Sequence, residues 1–205
     1  MQRLMRENQL NCRAKKAYYS GSTNSKHHLR KYSNLLIEAD IQEYPVIVGD
    51  VTAFDIKGKN HYCAHLLDLT NREILGISVS RINNTDLVYR TLEQAISKRD
   101  DLSKYIHHTD SDVRYCSSKY VKLVEKSQMK ISMCRGNAYE NAHSESFNKT
   151  LKRQEINIHQ YNSIEEAEKS ILEFAVKYNT IRPHSSLGWI SPLKFSKNKL
   201  NLIKK

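Results

Sequence analysis

The chain is 205 residues long, with 39% hydrophobic and 27% charged residues, a globular balance that excludes a disordered or collagen-like chain. Its 33 Lys and Arg against 22 Asp and Glu leave a net charge of +11, which favours a polyanionic partner through counterion release without separating that from plainly solvated lysines. No apolar run approaches the roughly 20 residues needed to span a bilayer, and Met1 to Lys16 lacks the apolar core of a signal peptide, so a cytoplasmic protein is expected.

Residues 1–40 are polar and basic, with a short helical end marked by Leu4, Met5 and Leu10. The pattern changes near Tyr44. Val46, Ile47, Val48 and Val51 form a β-branched run; a charged turn at Lys57–Asn60 leads to a second run, Tyr62 to Leu69. The Thr70-Asn71-Arg72 turn leads to a third, Ile74 to Val79. Three short runs joined by tight polar turns predict an antiparallel meander. Val88, Leu92, Ala95 and Ile96 then recur at helical spacing behind a cap at Asn84 or Thr85. A strand is expected over Tyr105–Thr109, a helix around Tyr120, Leu123 and Val124, and a short strand over Lys130–Met133. A Gly136-Asn137 turn opens a helix carrying Glu145, Phe147 and Leu151. The last helix starts at a capping box, Ser163 with Glu166, and Ile164, Ala167, Ile171, Ala175 and Tyr178 share one of its faces. Strands alternating with helices after a meander predict a mixed α/β layer fold.

Three acids carry candidate chemistry. Asp50 interrupts a core strand, where a carboxylate is costly unless it is paired or bound to a cation. Asp110 ends the His107-His108-Thr109-Asp110 run, and Glu145 sits on a helix. Convergent carboxylates suit magnesium, which prefers oxygen ligands and keeps several waters, and they are what two-metal phosphoryl transfer requires. Solvated acids remain the alternative for each one singly. Around Glu145, Asn141 and Lys149 lie on the same polar face, with Asn148 and Lys152 beside them and Phe147 and Leu151 on the core stripe. Such donors can touch phosphates, or Glu145 and Lys149 can simply form a surface ion pair.

His61, Cys63 and His65 alternate on one strand face. No second pair of ligands follows, so packing is preferred to a zinc site. Cys12, Cys63, Cys116 and Cys134 are widely spaced with no C-x-x-C pair and read as free thiols in a reducing compartment.

The residues around these acids resemble a known family. Asp50-Val51-Thr52 looks like the first acidic motif of insertion-sequence transposases of the retroviral-integrase (DDE) superfamily. The stretch from Leu67-Asp68-Leu69 to Leu75-Gly76 is similar to their hairpin, and Ile106-His107-His108-Thr109-Asp110 to their second acidic motif. Ser132-Met133-Cys134-Arg135-Gly136-Asn137-Ala138-Tyr139-Glu140-Asn141-Ala142 with Glu145-Ser146-Phe147 resembles the third. Tyr178-Asn179, Arg182-Pro183-His184-Ser185-Ser186-Leu187-Gly188 and Ser191-Pro192 match the closing signature. The matches run in the family's order from Asp50 to Pro192.

The resemblance implies a ribonuclease-H-like mixed five-stranded sheet flanked by helices. It implies a catalytic and metal-binding triad at Asp50, Asp110 and Glu145, with Mg²⁺ or Mn²⁺ as cofactor. Transposon-end and target DNA are the implied substrates. Asn141, Lys149, Lys152 and Arg153 are candidate DNA contacts. The expected organisation is a basic extension over 1–40, a catalytic core over 44–182 and a C-terminal tail over 183–205. Gln2 to Leu10 resembles the end of the family's helix-turn-helix region, so an N-terminally truncated core is expected. A separate upstream reading frame would supply a DNA-binding partner, the active complex would be a homo-oligomer, and the site of action the bacterial nucleoid.

Three departures bear on activity. Between Asp110 and Glu145 lie 34 residues, one fewer than is usual in the family, a deletion that the turn near Arg135-Gly136 can absorb. Asp112 stands where glycine is common, either disturbing a tight turn or adding negative charge near the metal. Glu140 stands where Asp is usual. The truncated start, the altered spacing and Asp112 keep open an inactive, DNA-binding transposase remnant beside the active enzyme; a host nuclease of the same fold is a third reading, which the closing signature disfavours.

Overall fold

The computed structural model describes Glu7 and residues 24–37, 44–134 and 142–203, with side chains through Lys199. The expected helical end at Leu4–Leu10, apart from Glu7, and the Gly136-Asn137 turn lie outside the described residues, as does the one-residue deletion placed near Arg135-Gly136.

Strands β1 (Val46–Ile56), β2 (Lys59–Asp68) and β3 (Ile74–Ser80) form the predicted antiparallel meander. β1 is longer than its β-branched run suggests, and the hairpin closes on two residues. Lys57 and Gly58 both take positive φ, 51° and 80°, the twist that matches flanking strands in a tight hairpin. β4 (Ile106–Thr109) then pairs in parallel with β1, and β5 (Lys130–Met133) in parallel with β4. The sheet order is β3-β2-β1-β4-β5.

Both faces of this sheet are covered. Helices α1 (Thr85–Ser97), α2 (Val113–Cys116) and α3 (Ser118–Lys126) close one side, where Leu87, Val88 and Leu92 meet Ile47, Val51 and Leu75. Helices α4 (Ala142–Leu151) and α5 (Ile164–Thr180) close the other, where Phe147, Leu151, Ile171 and Tyr178 meet Val46, Val48 and Cys63. The period-2 alternation along β1 distributes its side chains between the two cores.

Helix ends follow the sequence signals closely. Asn84 caps α1 by accepting from the Leu87 amide. Ser163 caps α5 through the Glu166 amide at 3.2 Å, while the Glu166 carboxylate reaches the Asn162 amide, one residue before the cap, at 2.8 Å. The stretch expected as a tail is built as well: a 3₁₀ turn at Ser185–Leu187 precedes α6 (Pro192–Ile203). Ser196 on α6 accepts a hydrogen bond from Asn71 in the β2–β3 turn at 2.6 Å. The segment 24–37 starts against residues 111–113, where the Asn24 carbonyl accepts from the Val113 amide, and reaches β5 at Ser33 and Leu35, with the Leu35 amide on Ser132 Oγ and the Met133 amide on the Ser33 carbonyl.

Gly76, inside the hairpin motif, is where α1 crosses β3 most closely. A Cβ there would fall 2.1 Å from the Thr91 carbonyl oxygen, a backbone atom that cannot rotate away. Gly76→Ala is therefore expected to push α1 off the sheet and cost roughly 3 kcal/mol, the upper range of overpacking penalties. Denaturant unfolding would read this as a lower midpoint at unchanged slope.

Candidate active site

Strand register brings the first two acids together. Val46, Val48 and Asp50 share one face of β1; Ile106, His108 and Asp110 share the corresponding face of β4 and its end. The parallel pairing is Val46 to Ile106 and Val48 to His108, and the next position along that face carries Asp50 on β1 and Asp110 just past the end of β4, close enough for the charge of Asp110 to raise Asp50. The third acid comes from above. Phe147 anchors α4 on this face of the sheet, its ring 4.3 Å from His65 and 5.5 Å from Tyr178, a burial worth roughly 1.5–3 kcal/mol. With Phe147 turned inward, Asn148 reaches Asp50 and donates to its Oδ2 at 2.8 Å. Glu145 lies one turn earlier on the same side of α4.

The three carboxylates act on one another. Burial, then the charge of Asp110, and also that of Glu145, push Asp50 up to about 7; the Val51 amide, at 2.7 Å from Oδ1, and Arg114 oppose the rise. Asp110 Oδ1 accepts from the Asp112 amide at 3.2 Å. Among the described residues no three acid, histidine or cysteine side chains are already gathered into a closed metal cluster. A buried carboxylate held near neutrality by two neighbouring acids nevertheless fits a cation, which removes the repulsion that raises it.

Asp112 turns out to be a structural residue. Its φ is −69°, which any residue adopts, so the turn does not require glycine. It caps α2 through the Arg114 amide at 3.0 Å, accepts from the Asn24 amide and from Arg114 Nε, and is 1% exposed. The extra negative charge expected near the acids is thus paired inside the core. Arg114 also reaches Asn83 Oδ1 and is the one cation that visibly draws Asp50 downward.

The candidate DNA contacts are spread along one stretch. Lys149 is exposed on α4; Lys152 is half-buried and Arg153 exposed in the π-helical turn that follows, Lys152–Ile156. Asn141 lies outside the described residues. No ion pair joins Glu145 to Lys149 among the described residues. Asn148 and Arg114 were the site residues that sequence reasoning passed over. Asn148 had one usable signal, its position three residues beyond Glu145.

The alternating His61, Cys63 and His65 pack rather than converge on an ion. His61 tilts against Phe54 and His65 against Phe147, while burial pushes Cys63 up to about 12 and His65 down to about 3. Among the described residues Cys63, Cys116 and Cys134 are buried and form no disulfide; Cys12 is not among the described residues.

Two family models, both described as integrase core domains, match residues 41–137 and 127–192. The insertion element IS600 uncharacterized 31 kDa protein of Shigella sonnei is 34% identical over 197 residues, 94% of this chain and 72% of that protein. The chain belongs to the insertion-sequence transposases. The transposase for insertion sequence element IS904 of Lactococcus lactis is 38% identical over 154 residues, covering 74% of this chain and 61% of its own length. This transposase chain thus spans between three fifths and three quarters of these two relatives. Its family is one of DDE-type polynucleotidyl transferases acting in DNA transposition. The HTLV-2 integrase catalytic core domain in complex with magnesium (trimeric form) superposes with a TM-score of 0.56 at 14% identity, over 73% of this chain and 94% of that one. That likeness establishes the expected ribonuclease-H-like fold. Among the described residues no helix is long and apolar enough to cross a membrane.

Proposed function

We propose that this transposase chain carries out metal-dependent hydrolysis of transposon-end phosphodiesters and then attack of the freed 3′ hydroxyl on a target-DNA phosphodiester, which joins the two strands and releases a target 3′ hydroxyl, with Asp50, Asp110 and Glu145 as its metal-binding acids. One observation carries the reading: β1–β4 register sets Asp50 beside Asp110 under α4, whose Asn148 holds Asp50 while Glu145 adds its charge. Asp50 and Asp110 would share the Mg²⁺ or Mn²⁺ ions and Glu145 would complete one site. When bound, the ions activate the attacking oxygen and stabilise the leaving one.

The chain's own contribution is positioning. Rigid strands hold two acids, a helix pinned by Phe147 holds the third, and Asn148 with the Val51 amide orients the Asp50 carboxylate. Asn141, Lys149, Lys152 and Arg153 are proposed DNA contacts, in keeping with the net charge of +11. The working assembly would be a homo-oligomer on the cytoplasmic nucleoid, with an upstream-frame product as DNA-binding partner. The alternative of an inactive remnant loses one support, since Asp112 is neutralised by Arg114 and does not crowd the acids.

The test uses duplex oligonucleotides carrying the inverted repeats that flank the gene. Wild-type chain is expected to nick or join them with Mg²⁺ or Mn²⁺, and Asp110→Asn or Glu145→Gln to abolish this while still binding DNA. Undiminished activity in either variant would remove that residue from the site. Salt-sensitive DNA binding without turnover in any metal would instead support the remnant.

A further inference from the structure

Outside the acid site, the family's closing signature gathers positive charge around one aromatic ring. Arg182 lies over Tyr178, 5.2 Å from the ring centroid, and its Nη1 is 3.2–3.3 Å from both ring nitrogens of His184. His184 in turn packs edge-on against Tyr178 at 4.7 Å. Arg72 enters from the β2–β3 turn with positive φ, 60°, and its Nη1 is 3.2 Å from His143 Nδ1 on α4. Both guanidiniums bear on the same pair of groups. Burial, then Arg182 and Arg72, hold His184 down at about 4, and both arginines oppose the burial that raises Tyr178.

Three separate segments therefore converge: the β2–β3 turn, the start of α4 and the stretch after α5. What they bring together is two permanent cations and two imidazole rings within reach of them. Among the described residues no carboxylate forms an ion pair with Arg72 or Arg182; the recorded acceptor for Arg182 Nε is the neutral Gln154 amide at 3.0 Å. Both arginines are half-buried. Like charges held this close repel, and an anion between them turns that repulsion into attraction. A planar guanidinium fork is suited to phosphate oxygens, which it grips through two parallel hydrogen bonds.

We infer that Arg72 and Arg182, with His143 and His184 beside them, form a phosphate-binding site for the DNA backbone. The site rests on the proposed function above in taking DNA as its ligand. Its geometry relates it to the acids: His143 lies two residues before Glu145 on α4, a rise of about 3 Å along the helix axis. Phe147, the residue that seats α4, packs on the same Tyr178 ring that supports Arg182. A strand gripped here would run beside α4, and its position would be transmitted to the acids through that helix.

The experiment is fluorescence anisotropy of a labelled duplex with the full chain across a series of salt concentrations. Each of Arg72→Ala and Arg182→Ala is expected to weaken binding several-fold. Each should also flatten the slope of log affinity against log salt by about 0.9, the share of one phosphate contact. Arg72→Lys and Arg182→Lys keep the charge and should restore most of the slope. Lys126→Ala, removing one positive charge from α3 across the sheet, should leave it unchanged. Wild-type slopes in both alanine variants, with melting temperatures preserved, would overturn the site. So would a loss that lysine fails to restore, which would mark the arginines as structural. A wild-type chain that binds no duplex at low salt would sink the DNA reading and the site with it. Expected slopes without metal-dependent cleavage would sink the enzymatic reading and leave the site standing.

Discussion

Asp50→Asn is expected to raise the melting temperature of the metal-free protein while lowering cleavage and strand transfer at least about a thousandfold, because some 4 kcal/mol of transition-state stabilisation would pass through the ions this carboxylate helps to hold. The two effects have one cause. Folding lifts Asp50 from 3.8 to about 7 through burial and the charges of Asp110 and Glu145. Between those values the folded chain binds more protons than the unfolded one, so stability falls as pH rises through this window. Near pH 8 the ionised group is a net cost. The full shift would be worth about 4 kcal/mol at 1.36 kcal/mol per unit, and partial access to solvent reduces the expected gain to about 1–3 kcal/mol. For a chain of this size that is a rise of roughly 2–4 °C per kcal/mol.

Melting curves at pH 5 and pH 8, in chelator and in Mg²⁺, separate the contributions. In chelator the gap between Asp50→Asn and wild type should widen from pH 5 to pH 8. Millimolar Mg²⁺ should stabilise wild type and close that gap, since a ligand that binds only the folded state adds stability by mass action. A variant less stable than wild type at pH 8 in chelator would mean that Asp50 is satisfied as an anion, and the electrostatic account of the site would fall.

Why some of this was legible in the sequence and some was not follows from the range of each interaction. Asp50 could be read because a charged residue breaks a β-branched run, and β1 alternation alone fixes its face. Asn84, Ser163 and the α5 stripe are decided within four residues, so local pattern sufficed. The fold class followed from the alternation of strands and helices, and the ordered motifs around the acids supplied the topology. Asn148 depends on how α4 crosses β1, a contact between residues 98 apart in sequence; local pattern puts Asn148 beside Glu145 but not against Asp50. The Lys57–Gly58 turn was placed too broadly because Lys57 is an unusual residue at positive φ. Helix α6 within the 183–205 stretch was not read from the sequence, and one of its contacts, Ser196 to Asn71, joins residues 125 apart. Asp112 was misjudged because its partner Arg114 is only two residues away in sequence, but only the fold buries both.

That buried pair carries the largest expected effect on stability. Arg114 is 4% exposed and Asp112 1% exposed, and Arg114 spans Asp112, Asn83 and the field of the acid site. In Arg114→Ala the Asp112 carboxylate would remain in the core without its cation. Removing one partner of a buried pair typically costs about 3–5 kcal/mol, which here corresponds to a fall of roughly 10 °C or more. Arg114→Lys should recover little, since one ammonium cannot serve Asp112 and Asn83 together as a guanidinium does. Asp112→Gly with Arg114→Met, which removes both charges, should cost much less than either single change. A double-mutant cycle measured by denaturant unfolding gives the coupling directly. Additive losses would show that the two side chains act independently, and the reading of Asp112 as a paired structural residue would fail. Loss of Arg114 also deprives Asp50 of the cation that lowers it, so the pH gap between wild type and Asp50→Asn should grow further in the Arg114→Met background. The same buried pair would then be seen to hold both the α2 cap and the charge balance of the acids.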